Sequence, residues 1–241
     1  MTDDRVVRIR ENYRHAGERI HEALSRAGRP ADSVRIVVVT KGQPLEVVRD
    51  AIQAGAVLLG ENYAEEAVTK IDALGHSGVE WHMIGHVQSR KAGLVAEHFQ
   101  MMQSLDSLKL AGKLEQCCAR IGKTLPILLE FNVSGEESKF GFPAWEVARW
   151  PDLVPVLKGL LGFPHLKLSG LMTMPPFYEE AEKTRPFFKR LRQLQGFLSE
   201  QFPSLRLSEL SMGTSVDYVT AVEEGATMVR IGTALVGPRS Y

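Results

Sequence analysis

Val34-Arg35-Ile36-Val37-Val38-Val39-Thr40 is almost entirely apolar and β-branched, and it runs straight into Lys41-Gly42-Gln43-Pro44. β-branched residues favour strands. A run without polar alternation is the pattern of a strand covered on both faces, as in a parallel sheet. Pro44 suits a first helical turn. Leu45, Val48, Ala51 and Ile52 then recur at helical spacing until Gly55. A buried strand followed by an amphipathic helix is the repeating unit of an α/β fold.

Working outward, the unit recurs along the chain. Strands are expected at 56–59, 80–84, 101–105, 126–133, 166–172, 205–210 and 227–231, which with 34–40 makes eight. Helices are expected at 64–74, 89–99, 108–121, 145–161, 179–201 and 216–224, with Pro151 and Pro155 splitting the fifth strand's crossover. Strict alternation implies parallel strands with crossover helices. Eight units in 241 residues suit a closed (β/α)8 TIM barrel, which typically takes about 250 residues. An open doubly wound sheet is the alternative. A helix from Asp3 to about Arg26 precedes the first strand and is expected to fill the place left after the eighth. No linker or composition shift interrupts the chain, so residues 1–241 read as one domain.

There are 29 basic and 29 acidic side chains, and the net charge is zero. Nucleic-acid and membrane-surface proteins carry a basic excess, so both classes are disfavoured. The opening residues are charged throughout and lack the apolar core of a secretory signal. No apolar run approaches the ~20 residues that span a bilayer. Cys117 and Cys118 are adjacent, a poor geometry for a disulfide, and suggest a reducing compartment. A cytoplasmic location follows as the expectation.

In such a barrel the chemistry gathers at the C-terminal strand ends. Read in order, they carry Lys41, Glu61-Asn62, His86 with Gln88, Asp106, Asn132, Thr173, Gly213-Thr214-Ser215 and Gly232-Thr233. Lys41 ends the most apolar strand. Desolvation favours a neutral amine, which can attack an aldehyde to form an imine; a solvated strand-end lysine is the plainer alternative. SMGTS (211–215) and RIGT (230–233) follow strands seven and eight, where barrels commonly bind phosphate through amides and hydroxyls. Ser215 also suits an N-cap of the helix at 216–224. Strand alternation aims Arg230 and Gly232 inward and Val229 and Ile231 toward the helices. A buried arginine needs a partner, either a carboxylate such as Glu130 or a cofactor heteroatom. His82 and His86 are four apart, but on a strand and loop that spacing does not align two metal ligands. Together a lysine, a phosphate cup and an arginine would hold pyridoxal 5′-phosphate (PLP) at three points.

VVVTKGQP (37–44), GENYAEEAVTKI (60–71), EWHMIGHVQSRK (80–91), NVSGEESKFGF (132–142), LSGLMTMPP (168–176), LSMGTSVDY (210–218) and ATMVRIGTALVG (226–237) resemble the pyridoxal phosphate homeostasis protein family. That family is similar to the N-terminal barrel of alanine racemase, PLP fold type III. The resemblance implies a covalent aldimine on Lys41, Arg230 at the pyridine nitrogen, and phosphate binding by Ser215, Gly232 and Thr233. It places Asn62 near the cofactor and Met212 and Gly213 along the phosphate loop. Lys139, in the shared SKFG stretch, is either a second lysine near the mouth or a solvated loop residue. Arg90 and Thr40 depart from the family's usual asparagine and serine.

The resemblance implies a PLP-binding regulator of vitamin B6 and amino-acid balance without established turnover. Its partners would be PLP and apo PLP-dependent enzymes as acceptors. The chain stops at Tyr241, which leaves no room for the C-terminal β-domain of alanine racemases, so a monomer is expected. An arginine at the ring nitrogen keeps it unprotonated and weakens the electron sink. Two other readings stand beside this one. A monomeric amino-acid racemase would need an acid/base opposite Lys41, with His86 the nearest candidate. A PLP-free Schiff-base aldolase would use Lys41 and the phosphate cup but has no task for Arg230.

Overall fold

The computed structural model describes residues 2–75 and 78–238. Its strands are β1 (Arg35–Val39), β2 (Leu58–Glu61), β3 (Glu80–Met83), β4 (Met101–Leu105), β5 (Leu125–Asn132), β6 (Phe142–Pro143), β7 (Leu166–Met172), β8 (Glu209–Ser211) and β9 (Met228–Ile231). All pairings are parallel. The ring runs β1-β2-β3-β4-β5-β7-β8-β9 and returns to β1, with Val37 beside Arg230 at the closing seam. β6 is an extra two-residue strand on β5, absent from the sequence-based pattern, and does not enter the ring.

The helices are α1 (Thr2–Arg26), α2 (Leu45–Gln53), α3 (Ala64–Leu74), α4 (Ala92–His98), α5 (Leu108–Ile121), α6 (Val154–Leu160), α7 (Arg185–Gln201), α8 (Tyr218–Glu223) and α9 (Thr233–Val236). Three expected helices open as 3-10 turns, at Ser89–Lys91, Val147–Leu153 and Ala181–Thr184. Pro151 lies inside the second of these, and Pro155 sits in the first turn of α6, so the prolines split that crossover as expected. α1 packs against α8, α2 and α9 and so closes the helical ring.

The core has two parts. Leu59, Trp81, Phe99, Leu114, Phe188 and Val229 belong to the belt between sheet and helices. Val37, Leu58, Met101, Leu128, Met172 and Met228 plug the barrel interior. Each fully buried aliphatic or aromatic side chain adds about 1.5–3 kcal/mol. Two residues further toward the strand C-termini, Gln103, Glu130 and Arg230 follow Met101, Leu128 and Met228, and Arg230 lines the site.

Candidate functional site

A cavity of about 650 Å³ opens at the C-terminal mouth, lined by Lys41, Asn62, Ser215, Arg230, Gly232 and Thr233 together with Val39, Ile84, Met174, Phe177, Thr214, Val216 and Ala234. That volume is within the usual range for small-molecule sites. Six of the eight residues singled out in the sequence therefore meet around one space. The other two sit behind it. The Met212 side chain is fully buried in the helix layer, and its amide donates to Met228 O (3.1 Å). Strand alternation turns it outward, so it backs the loop and does not face the cavity. Gly213 takes φ +89, and its carbonyl accepts from Arg230 N (3.0 Å). A Cβ there would come 2.5 Å from Ala221 Cβ, so only glycine lets the loop lie this close to α8.

Lys41 follows β1 in the turn Thr40-Lys41-Gly42-Gln43. Gln43 N donates to Thr40 O (3.1 Å), and Gly42 stands at φ +66, the left-handed third position of a type II turn.

Arg230 is 3% exposed and points inward from β9. Nη1 donates to Ser211 Oγ (2.5 Å), and Nη2 donates to Thr173 O (2.9 Å) and Met174 Sδ (3.0 Å). These acceptors are all uncharged. Glu130, the carboxylate suggested by the sequence, acts on it electrostatically, as does Asp217. Burial pushes the guanidinium down to about 10, which leaves it cationic at neutral pH. Behind it, Ser211 Oγ donates to Gln103 Oε1 (2.6 Å), and Gln103 Nε2 donates to His82 Nδ1 (2.8 Å). A relay of side-chain hydrogen bonds across the barrel thus holds the arginine in one orientation.

Ser215 Oγ accepts from Gly232 N (3.2 Å) and Ala234 N (3.4 Å). It joins the loops after β8 and β9 and does not cap the helix expected at 216–224. That helix starts later, at Tyr218, after Asp217 Oδ1 has accepted from Thr214 N (2.7 Å) and Thr214 Oγ1 (3.0 Å). Amides and hydroxyls on two adjoining loops suit a phosphate, the amine suits an aldehyde, and the guanidinium suits a ring nitrogen. The donor set therefore fits PLP.

Other mouth residues have separate engagements. Glu61 faces the helix layer, where its Oε1 meets Lys70 Nζ (2.8 Å). Asn132 Oδ1 accepts from Ser134 N (3.1 Å) and Gly135 N (3.0 Å) and shapes the loop after β5. His86 Nδ1 meets Asp106 Oδ2 (2.6 Å), and its ring stacks on Phe140. His82 lies inside the barrel, so the two histidines do not converge. Lys139 borders a smaller pocket with Phe177, Val216 and Asp217. Arg90 borders a groove with Lys113 and Arg120 on the α4–α5 side. Cys118 is buried on α5 and Cys117 is half-buried, both as free thiols. The roles of Lys70, Gln103 and Ser211 were missed from sequence; their only signal was polarity at positions where strand or helix period points inward.

Residues 8–240 match the family model for the alanine racemase N-terminal domain. A pyridoxal phosphate homeostasis protein of Pseudomonas aeruginosa is 41% identical over 233 residues, 97% of this chain and 96% of that protein. The structure of PipY from Synechococcus elongatus with PLP bound is 34% identical, with TM-score 0.77, over 90% of this chain and 100% of that one. An alanine racemase of Clostridium difficile shares the fold at 16% identity and TM-score 0.68, over 95% of this chain and 56% of its own.

Proposed function

Because this chain belongs to the pyridoxal phosphate homeostasis protein family, we propose that it binds PLP as a Schiff base on Lys41 and serves intracellular PLP and amino-acid homeostasis as a carrier and regulator. The observation that carries this reading is the single cavity shared by Lys41, Arg230 and the Ser215–Gly232–Thr233 loops. Residues 1–241 act as one PLP-binding barrel domain.

In this reading Lys41 would hold PLP through its amine, the group suited to the cofactor's aldehyde. Arg230 would face the ring nitrogen. As a cation it opposes protonation there and so limits electron withdrawal by the ring. Ser215, Thr233 and the Gly232 loop hold the phosphate, with Gly213 allowing their close approach and Met212 anchoring the loop from behind. Asn62 borders the opposite wall. When bound, PLP supplies an electron-accepting ring to any amine joined to it. The residues proposed to hold PLP all come from one chain, as a monomer requires, and a Schiff base is reversible, which supports delivery to apo PLP-dependent enzymes.

The racemase reading needs an acid/base group facing Lys41. His86 is engaged by Asp106 and Phe140 outside the cavity wall, which favours the carrier. The aldolase reading leaves the Arg230–Ser211–Gln103–His82 relay without a task.

The deciding experiment is the visible spectrum of the protein and its Lys41→Ala variant after incubation with PLP and gel filtration. A yellow band in the parent, bleached by borohydride and absent in the variant, is expected. A parent that retains no PLP would overturn the reading. L-alanine in deuterated water separates carrier from racemase: exchange at the α-carbon should stay at the level of free PLP.

A further inference from the structure

Two peptide groups flank the Cα of Lys41. One ends in the Thr40 carbonyl and the other in the Gly42 amide. One buried ion cluster holds both. Lys70 Nζ donates to Thr40 O (2.8 Å), and Gly42 N donates to Glu66 Oε1 (2.8 Å). Lys70 Nζ also donates to Glu66 Oε1 (2.6 Å) and Glu61 Oε1 (2.8 Å), so its three donors are all used. Thr40 Oγ1 donates to the same Glu61 oxygen (2.7 Å). The tilt of those two peptide planes is the φ and ψ of Lys41. Holding both fixes the direction of its Cα–Cβ bond.

Stability alone does not account for this cluster. The Lys70 side chain is 7% exposed and that of Glu61 is fully buried. A buried ion group is commonly no more stable than apolar side chains of similar volume. Glu61 Oε2 has no hydrogen-bond partner, and burial raises the Glu61 carboxyl above its ordinary range. Apolar side chains could fill the gap between β2 and α3, but they could not grip two peptide groups of a turn.

We infer that Lys70, with Glu61 and Glu66, is a positioning cluster for Lys41, acting from the helix side of the barrel to hold the amine in the attitude from which its Schiff base forms and is released. This rests on the PLP reading above.

Two variants test it without leaving a buried charge unpaired. Glu66→Ala frees the Gly42 amide and leaves Lys70 and Glu61 as a one-to-one pair; the Glu66 side chain is already one-third exposed. Lys70→Met with Glu61→Leu removes both buried charges together. Each apo protein is checked by circular dichroism and thermal unfolding. PLP is then added, and three quantities are read: the rate of borohydride-trapped adduct at Lys41 by peptide mass, the pH midpoint of the visible band, and the rate of adduct loss to hydroxylamine. A misoriented amine should slow trapping roughly tenfold or more and move the pH midpoint, while Glu66→Gln, which keeps an acceptor for Gly42, restores the parent values. Folded variants that match the parent in all three quantities overturn the inference. A parent that traps no PLP overturns the cofactor reading itself, a different result. If the double variant does not fold, Glu66→Ala and Glu66→Gln still decide.

Discussion

Glu130 on β5 is 6% exposed and sits among Asp106, Arg230 and Lys139. Burial raises its carboxyl to about 7 and Asp106 adds to the rise, while Arg230 and Lys139 oppose it. The folded protein then holds this proton more tightly than the unfolded chain does. Between the ordinary value of 4.5 and about 7, stability falls as pH rises. The full effect is on the order of 3 kcal/mol. Urea midpoints of the apo protein should fall between pH 5 and pH 8, and Glu130→Gln should remove that component; equal slopes in both proteins would mean that the carboxyl titrates normally. Gly213→Ala forces a Cβ against Ala221 at φ +89. It should cost about 1–3 kcal/mol in urea unfolding and weaken PLP retention more than a surface substitution of equal cost. At this scale Lys41 and Arg230 were legible because each ends or interrupts an apolar strand. Met212 was placed with the phosphate loop on motif alone, and its side chain lies on the other face.

At the scale of elements, α1 buries Ile9, Ala16, Ile20, Ala23 and Leu24 along one stripe, the spacing of an amphipathic helix. Arg29 donates to Val222 O (2.5 Å) and Ala226 O (2.8 Å), and Asn12 to Leu235 O (3.0 Å), so the helix region is tied to α8 and α9 beside the loops after β8 and β9. Leu24→Ala should destabilise the protein by about 2–5 kcal/mol in urea unfolding. Arg14→Ala, at an exposed pair with Glu18, should change it by no more than about 0.5 kcal/mol; equal losses would mean α1 is not docked as described. Helix existence was readable from periodicity, but helix starts were not. The helices expected at 89, 179 and 216 begin later, because their first residues form 3-10 turns at Ser89–Lys91 and Ala181–Thr184 or, before Tyr218, a loop that Asp217 closes on Thr214.

For the whole molecule, barrel closure brings β4 against β5 and β9 against β1, so that the mouth collects loops from across the chain. Sedimentation of the PLP-loaded protein should give the mass of one chain at micromolar concentration; a stable dimer would refute the monomeric carrier.

The amino-acid sequence by itself determined the alternation of buried strands and amphipathic helices, the closed barrel they imply, and the presence of Lys41, Arg230 and the Ser215 and Gly232-Thr233 loops at the barrel mouth. Those features are written in local periodicity and in motifs a few residues long. Only the tertiary structure decided that Lys70 grips the turn around Lys41, that Ser211 and Gln103 hold Arg230, that Ser215 reaches the N-terminus of α9 and does not cap the helix that follows it in sequence, and that Glu61 turns away from the mouth. The Ser211–Gln103 bond spans 108 residues and the Lys70–Thr40 bond spans 30. Such contacts arise from how the strands are ordered around the ring, and no local pattern encodes which distant polar side chain will be waiting when the ring closes.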